Sequence, residues 1–523
     1  MPIAQSVREA YARGEEDEQL LPLVAVKDGD EPLGRIQHGD CVFFYDIRGE
    51  REVELTRSFT EENFTEFPVM KGLKPHFLTM IEYAKSLNVR VAFPPERIEN
   101  TLSSVVSQSG LNQAKIAESE KSTHVIYFLN GKSNEPLPGE QRMLIESFRD
   151  VKTFDERPEM CARDVAEDAM KAAEQKSLSF IVVNFANVDV VGHSENAEAI
   201  RKAVETVDKC LGMVLEKNGK FGLTTIVTAD HGTVEKWLYA DGKIDTGHTN
   251  SPVPFILVEP DTRIREKIEL RKGGALTDIA PTVLQIMGIK TPDVMTGESI
   301  ITHSPYDSAT GRRLMLIILD GWGYSDETRG NLIKSSNTPT MDSITARFPS
   351  TVLAASGETV GMPPGTVGNS EVGHMHIGAG RKIWSDRVRI DRSIADGSIF
   401  QNAEIIGLYR KARETGRHLH LLGIVSFYSS HGSIDHLRAL MKLAKDEGLK
   451  DVRIHAILGR RGERPESGAR YVEDVEKEAS ELGIGHVVTV IGRYWALDRD
   501  GYWDRIERTY RTLVYGDGRK VRI

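Results

Sequence analysis

The sequence predicts an α/β protein built on largely parallel sheet, and two observations predict it. Apolar runs of strand length recur along the 523 residues, and amphipathic stretches of helical period follow them, which is the alternation that βα units leave in a sequence. The runs lie at 41–45, 124–128, 180–185, 223–228, 314–319, 418–425, 452–458 and 487–491, with the clearest helical patterns at 196–215 and 433–447. In an open α/β sheet, ligands gather beyond the carboxyl ends of the strands. The polar residues just after each run are therefore the ones to inspect.

Composition bounds the rest. At roughly 100–200 residues per domain, the length implies two or three domains. Hydrophobic residues make up 40% and charged residues 28%, an ordinary globular balance, and the net charge is −10. An acidic chain is a poor match for a phosphate backbone, so nucleic acid is not the expected partner. No run approaches the roughly 18 apolar residues of a spanning helix, and MPIAQSVREAYARGEEDEQ lacks the apolar core of a signal peptide. Cys41, Cys161 and Cys210 stand alone, without CxxC spacing. The cytoplasm is the expected compartment. Neither nucleotide signature, GxGxxG or GxxxxGKS/T, is present.

In chain order, the run at 41–45 opens FFYDIRGERE, which holds Arg48 and Arg51. Breaks near Pro94-Pro95 and 378–382 suggest hinges. Lys121 precedes the run at 124–128, in ESEKSTHVIYF. After 180–185 comes NFANVDVVGHSE, where Asp189 and His193 lie four apart, the spacing of one helical face. After 223–228 come Asp230 and His231, and His248 sits in TGHTNSPVPF ahead of a further apolar run. Segment 301–313, ITHSPYDSATGRR, reads as a linker or long surface loop. Behind it, 314–319 is the strongest strand signal in the chain, and Asp320 ends it. The Gly-rich segment 361–381 centres on Ser370, and Asn369 or Ser370 would cap a helix whose free N–H groups attract an anion. Arg460, Arg461 and Arg464 follow 452–458, while Arg493 and Arg499 follow 487–491.

Any one of these residues alone reads as a helix cap or a solvated charge. Together, three Asp and three His at the ends of strands point to a metal site. Carboxylates and neutral imidazoles suit Mn²⁺ or Zn²⁺, and two ions about 4 Å apart can hold the attacking and leaving oxygens of a phosphoryl transfer. Coordination would also lower the pKa of Ser370 and make it a nucleophile, with a simple N-cap as the plainer reading of that segment. Seven arginines behind predicted strands in an acidic protein suggest an anion-binding pocket, which Lys121 would join.

LDGWGYSDETRGN, GNSEVGHMHIGAGR, AESEKSTHVIYFLNG, NFANVDVVGHSE, TADHGTVE and GHTNSPVPFILV resemble motifs of the cofactor-independent (2,3-bisphosphoglycerate-independent) phosphoglycerate mutases, members of the alkaline phosphatase superfamily. The likeness runs over nearly the whole chain. It implies an alkaline-phosphatase-like three-layer α/β domain with a second α/β transferase-type domain. It implies two divalent ions, Mn²⁺ first, with Mg²⁺, Co²⁺ and Zn²⁺ as alternatives. One would be held by Asp189, His193 and His248, the other by Asp320, Asp230, His231 and the nucleophile Ser370. The implied substrate pocket is His431, Arg461, Arg493, Arg499, Arg48, Arg51 and Lys121. The implied partner is a small anionic phosphorylated substrate such as phosphoglycerate, taken up by a monomer with no nucleic acid and no membrane.

The order of segments departs from that family, whose members begin near the segment matching 314–320 and end near the one matching Ile301. This chain instead resembles a circular permutation in which 301–313 joins the old ends, an arrangement tolerated where termini lie close together at the surface. On that reading, 1–94 and 386–523 are the two parts of the transferase-type domain. Residues 95–385, including the linker 301–313, are the metal-binding phosphatase-like domain.

Two pocket motifs also depart. Where the mutases resemble SDGGVHSHIDH, residues 426–436 read SFYSSHGSIDH, and where they resemble DGRDTPP, residues 459–465 read GRRGERP. Gly462 thus replaces the Asp that the family resemblance assigns to the glycerate hydroxyl proton, so Asp46 or Glu463 would have to serve instead. Three activities are the expectations. The first is interconversion of 3-phosphoglycerate and 2-phosphoglycerate through a phosphorylated Ser370. The second is transfer of a phosphonoformyl group from a CMP-activated donor to a phosphoglycerate, as in mutase-like enzymes of phosphonate pathways, which the added arginines favour. The third is a metal-dependent phosphatase or phosphodiesterase in which water resolves the serine intermediate. Phe427 and Tyr428 are expected to pack, with stacking on a base as the alternative.

Overall fold

The computed structural model describes residues 2–27, 29–303, 305–306, 312–427, 429–459 and 466–523. The chain divides into two compact units, Arg97–Ser385 and a unit drawn from both ends of the chain, Met1–Glu96 with Asp386–Ile523. Each is an α/β body around its own eight-stranded, mainly parallel sheet.

In Arg97–Ser385 the sheet order is Gly274–Ala275, Ser350–Ala354, Val253–Val258, Thr224–Thr228, Leu314–Leu319, Leu178–Phe185, Asn112–Glu118, Glu140–Ile145. Leu314–Leu319 lies between two parallel neighbours with all six residues of LMLIIL buried. A strand without a polar face is satisfied only when both faces are covered, and each Leu or Ile taken out of water adds about 1.5–3 kcal/mol. The strand is thus a rigid support for whatever follows its last residue. Val253–Val258 runs antiparallel to both neighbours. The loop before it therefore reaches the same sheet edge as the loops after the parallel strands. Helix Ala197–Lys220 begins at Asn196, whose side chain accepts from Ala199 N–H at 3.2 Å. It buries Ile200, Val204, Val207, Leu211 and Val214 along one face at helical spacing.

In the other unit the order is Arg519–Arg522, Leu23–Val26, Gly485–Gly492, Val452–Leu458, Leu419–Ile424, Cys41–Phe44, His76–Ile81, Arg90–Phe93. Cys41–Phe44 pairs in parallel with Leu419–Ile424, His420 opposite Val42, so the two ends of the chain are hydrogen-bonded into one sheet. Histidines inside these apolar strands are satisfied side to side. His420 meets Asp40 Oδ2 at 3.2 Å and His455 Nε2 at 2.9 Å, and His455 Nδ1 meets Thr489 Oγ1 at 2.8 Å. Helix Ile434–Asp446 is capped by Ser433, whose hydroxyl accepts from Asp435 N–H at 3.2 Å.

Seven of the eight apolar runs are strands. The exception is 124–128, where His124–Phe128 forms a wide helical turn continuing helix Ser119–Thr123, with Leu129 N–H donating to His124 O at 3.0 Å. A five-residue apolar run does not distinguish a buried strand from a buried helical turn. The strand of that region is the preceding Asn112–Glu118, masked in the sequence by polar residues that are buried but paired. Lys115 Nζ lies 3.4 Å from Glu140 Oε2, and Gln113 Nε2 donates to Ser103 O at 2.8 Å. Segment 301–313 is more than a loop, since Ile301–His303 pairs antiparallel with Glu269–Leu270 and Arg313 donates to Leu178 O at 2.7 Å. Residues 304 and 307–311 of that segment lie outside the described residues. The three cysteines are unpaired and buried. No helix among the described residues is long and apolar enough to cross a membrane.

Candidate active site

In Arg97–Ser385, several strand ends deliver carboxylates and imidazoles to one place. Leu314–Leu319 is followed directly by Asp320, whose backbone O accepts from Asp189 N–H at 3.1 Å. Asp189 stands in the short helix Asn187–Gly192 behind Leu178–Phe185. Asn187 pins the start of that helix by donating to Pro158 O at 2.9 Å and Glu159 O at 2.8 Å. His193 follows at its C-terminal end. Thr224–Thr228 delivers Asp230 and His231. The loop of His248 is stitched to that of His231, with Thr249 N–H donating to Gly232 O at 3.0 Å. Buried Glu235 accepts from Thr233 N–H at 2.9 Å and from Thr249 Oγ1. Gly321, at φ +81°, donates to Asp230 Oδ1 at 3.2 Å and passes so near Asp189 that a Cβ would lie 2.8 Å from its Cα.

Ser370 opens helix Ser370–Ala379. The cap is Asn369, whose Oδ1 accepts from Val372 N–H at 2.9 Å, so the Ser370 hydroxyl is not needed for capping. Its Oγ lies 2.8 Å from Lys121 Nζ, 3.0 Å from His231 Nε2 and 3.1 Å from Asp320 Oδ1. A hydroxyl at the start of a helix sits where the partial positive charge of the free N–H groups favours an anion.

Lys121 Nζ also bonds Asp189 Oδ2 at 2.5 Å and Asp320 Oδ1 at 2.6 Å. Burial alone would neutralise all three groups, but their mutual attraction outweighs it. Asp189 is held well below the usual carboxylate range, Asp320 is lowered with it, and the Lys121 ammonium is held above its ordinary value. Burial would also discharge His231, yet Asp230, Asp320 and Asp189 around it push it up to about 10.

The donor set fits a cation. His193, His248 and His231 each commit Nδ1 to a backbone carbonyl, of Thr246 at 2.8 Å, Gly368 at 3.0 Å and Gly232 at 3.2 Å. In the neutral tautomer this fixes, every Nε2 is a lone pair. Those of His193 and His248 face one another at 3.2 Å. Asp189 Oδ1 lies 3.1 Å from His248 Nε2, 3.4 Å from His193 Nε2 and 3.6 Å from His231 Nε2, yet this buried oxygen has no hydrogen-bond partner. Lone pairs aimed at one another across a buried carboxylate repel unless something positive joins them, and a divalent ion does so best. In the metal-free protein the proton on His231 takes part of that role. Asp230 Oδ2 is a second buried oxygen without a hydrogen-bond partner, grouped with Asp320 and His374.

Two polar residues that sequence reasoning passed over belong to this cluster. Asn184 Nδ2 donates to Asp320 Oδ2 at 2.9 Å and lies 3.0 Å from His374 Nε2, and His374 Nδ1 lies 2.8 Å from Ser370 O and 3.2 Å from Asp230 Oδ2. The available signals were an Asn inside the otherwise apolar end of LSFIVVNF, and a His four residues after Ser370 on the same helical face.

The arginines expected in a substrate pocket lie in the other unit. Arg48 precedes helix Gly49–Thr60, and both it and Arg499 meet the Glu50 carboxylate, Arg48 at 3.3 Å. Arg51 donates to Leu497 O at 3.1 Å. Arg493 follows Gly485–Gly492 with Nε 3.6 Å from Glu18 Oε1. His431 Nδ1 lies 2.5 Å from Glu52 Oε1, within reach of the charges of Arg493, Arg48 and Arg51. Lys121 is not with this group but in the acidic cluster with Ser370. Arg461, together with Gly462, Glu463 and Tyr428, lies outside the described residues. Phe427, expected to pack, is 65% exposed on the loop before His431.

A family model described as Metalloenzyme superfamily matches residues 33–291, and one described as BPG-independent PGAM N-terminus matches residues 390–522. Three curated 2,3-bisphosphoglycerate-independent phosphoglycerate mutases are similar to the chain. That of Gloeobacter violaceus is 43% identical over 314 residues, 59% of this chain and 57% of its own. That of Clostridium botulinum is 43% identical over 303 residues, 57% of each chain, and that of Pseudomonas aeruginosa 42% identical over 295 residues, 56% of each. The chain thus spans little more than half the length of the relatives it matches. A solved structure described as Leishmania mexicana phosphoglycerate mutase at low cobalt concentration is 28% identical over 53% of each chain, with a TM-score of 0.39.

Proposed function

The chain belongs to the family of 2,3-bisphosphoglycerate-independent phosphoglycerate mutases, and from that premise we propose that it interconverts 3-phosphoglycerate and 2-phosphoglycerate through a phosphorylated Ser370. One observation carries the reading. Ser370 Oγ, at the start of a helix, is held at once by an ammonium, an imidazole and a carboxylate, at 2.8, 3.0 and 3.1 Å.

In the proposed reaction Ser370 Oγ attacks the phosphorus of the bound phosphoglycerate, and the phosphoryl group later returns from Oγ to the other hydroxyl. The Lys121 ammonium lies against the attacking oxygen and offsets charge developing on the transferred group. The N–H groups at the start of helix Ser370–Ala379 do the same. Asn184 and His374 hold Asp320 and the first turn of that helix in place. His431, Arg48, Arg51, Arg493 and Arg499 are proposed to grip the carboxylate and hydroxyls of the glycerate, with Arg461 as a further member. Two divalent ions, Mn²⁺ as the first choice, would be held by Asp189, His193 and His248 and by Asp320, Asp230, His231 and Ser370, where they would lower the Ser370 pKa and neutralise phosphoryl charge.

The match of the family's N-terminal model to residues 390–522, behind a superfamily match at 33–291, supports a circularly permuted order. On that reading Arg97–Ser385 is the metal-binding phosphatase-like domain and the other unit the transferase-type domain. A cytoplasmic monomer acting on a small phosphorylated substrate completes the proposal. Phosphonoformyl transfer and hydrolysis of the serine intermediate find no support among the relatives.

Phosphorus NMR of the Mn²⁺-loaded protein with 3-phosphoglycerate tests the reading. Growth of the 2-phosphoglycerate resonance to a fixed ratio is expected, from either isomer as starting material. Inorganic phosphate as the sole product, or no change, overturns it.

A further inference from the structure

The transfer back to a glycerate hydroxyl requires that oxygen to lose a proton, and the oxygen that leaves in the first half-reaction must gain one. Among the described residues of Met1–Glu96 with Asp386–Ile523, three buried titratable groups from separate chain segments converge within 4.8 Å. These are Asp46 behind strand Cys41–Phe44, Glu52 in helix Gly49–Thr60, and His431 before helix Ile434–Asp446. Each is fixed by backbone. Asp46 Oδ1 accepts from Ile424 N–H at 2.7 Å, Glu52 Oε2 from Arg51 N–H at 3.0 Å, and His431 O from Ile47 N–H at 2.6 Å. What remains aimed into the cluster is Glu52 Oε1, 2.5 Å from His431 Nδ1, and Asp46 Oδ2, which is buried without a hydrogen-bond partner.

We propose that Glu52 is a positioning residue for His431, locking the imidazole through Nδ1 so that Nε2 hands a proton to the departing glycerate oxygen and takes one from the accepting hydroxyl. This rests on the functional reading above. The steps balance. In the first, the P–O bond to glycerate breaks as P–Oγ forms on Ser370, whose hydroxyl proton passes to its acceptor Asp320 Oδ1, and the Nε2–H proton moves to the leaving oxygen as the Glu52 carboxyl proton passes to Nδ1. In the second, the other hydroxyl gives its proton to Nε2 as the Nδ1 proton returns to Glu52, its oxygen bonds to phosphorus, P–Oγ breaks and Oγ recovers its proton from Asp320. Both half-reactions return the imidazole to its starting state.

The surroundings suit a group that must exist in both forms. Burial pushes the Glu52 carboxyl up to about 8, with the backbone N–H groups of Glu52 and Arg51 and the charges of Arg48 and Arg493 pulling the other way. Burial pushes His431 down to about 4, with Asp46 opposing and Arg493, Arg48 and Arg51 reinforcing. Asp46 itself is raised well above its ordinary value by burial and by Glu52, and the phenols of Tyr45 and Tyr83, neutral beside it, add no charge. Burial thus favours a protonated carboxyl against a neutral imidazole, so the pair shares one proton that can shift between Oε1 and Nδ1. Both acids rest one oxygen on a backbone amide, and of the two it is Glu52 whose other oxygen bonds His431.

The test compares wild type, Glu52→Gln and Glu52→Asp in the metal-loaded protein, measuring kcat and KM for 3-phosphoglycerate across pH, with bound metal and melting temperature recorded for each. For Glu52→Gln the expected result is a fall in kcat of about a hundredfold or more with KM changed by no more than about threefold. Its pH profile should lose the limb near 8, and Glu52→Asp should recover part of both. Unchanged kcat and pH profile in Glu52→Gln, or equal losses in Gln and Asp variants that follow melting temperature, overturn the inference and leave the mutase reading standing. Loss of one equivalent of metal in Glu52→Gln also overturns it, making the cluster a cation site. A wild-type protein that interconverts neither isomer removes the functional reading, and this inference with it.

Discussion

Lys121 Nζ lies 2.6 Å from Asp320 Oδ1 and 2.8 Å from Ser370 Oγ, so a single ammonium joins a buried carboxylate to the proposed nucleophile. Lys121 is 3% exposed. Replacing it by Met leaves Asp189 and Asp320 buried beside each other without that cation. Removing one partner of a buried ion pair costs about 3–5 kcal/mol. Metal-free Lys121→Met should therefore unfold well before metal-free wild type in urea, and added Mn²⁺ should close most of the gap. A loss that is the same with and without metal would count against cation compensation in this cluster.

The facing Nε2 atoms of His193 and His248 make a second prediction. If they share an ion with Asp189 Oδ1, then His193→Ala and His248→Ala should each reduce bound metal by one equivalent of the proposed two. Melting temperature should barely change in chelator, since both imidazoles are removed from lone-pair repulsion. Elemental analysis after dialysis reads the first quantity and calorimetry the second. Full metal content in both variants would remove these histidines from the ligand set.

Gly321 offers a geometric test. It adopts φ +81°, and a Cβ there would lie 2.8 Å from Asp189 Cα. Gly321→Ala combines a left-handed backbone with a clash against the ligand-bearing helix, and about 1–3 kcal/mol of destabilisation is expected. Metal affinity should weaken in parallel, because the substitution displaces Asp189. Wild-type stability and metal binding in this variant would show that the loop relaxes without moving Asp189.

Glu118 sets a pH dependence. Burial pushes its carboxyl up to about 7, opposed by the Ser147 hydroxyl and the Cys161 N–H, and Oε1 has no hydrogen-bond partner. Between about 4.5 and 7 the folded protein keeps a proton that the unfolded chain has released. Fewer protons bound in the unfolded state means stability falls as pH rises through that window. Glu118→Gln should flatten this fall, measured as the difference in urea midpoint between pH 5 and pH 7. An equal pH 5 to pH 7 difference in variant and wild type would show that Glu118 does not titrate there.

Much of this was legible in the sequence where one residue type dominates a stretch. LMLIIL, six apolar residues bounded by polar ones, reads as a buried strand, and Asp320 directly behind it as a residue at that strand's carboxyl end. The two His and two Asp of VDVVGH and ADH were visible for the same reason. What the pattern hid was pairing. Asn112–Glu118 contains Gln113 and Lys115, which read as surface residues until Ser103 and Glu140 are seen to satisfy them. The apolar 124–128 read as a strand because five residues are too few to show a helical period. Lys121 looked like one more cation for an anionic substrate, since sequence carries no sign that two carboxylates and a serine 68 to 249 positions away meet its ammonium. Glu52 went unnoticed among the charges of GEREVE because nothing local marks Glu52 and Glu54 as buried and Glu50 as exposed.

Strand Cys41–Phe44 is hydrogen-bonded to Leu419–Ile424, almost four hundred positions later. On the ribosome, at about 5–20 residues per second, residues 1–96 emerge tens of seconds before their sheet partners. Arg97–Ser385 can collapse on its own strands in that interval. The early segment holds the partners to pair Cys41–Phe44 with His76–Ile81, but the other edge of Cys41–Phe44 must wait for Leu419–Ile424, and an open strand edge is the form most exposed to aggregation and to chaperone capture. Synthesis of 386–523, rather than the emergence of any signal local to the early segment, is the event that lets this half of the protein become native.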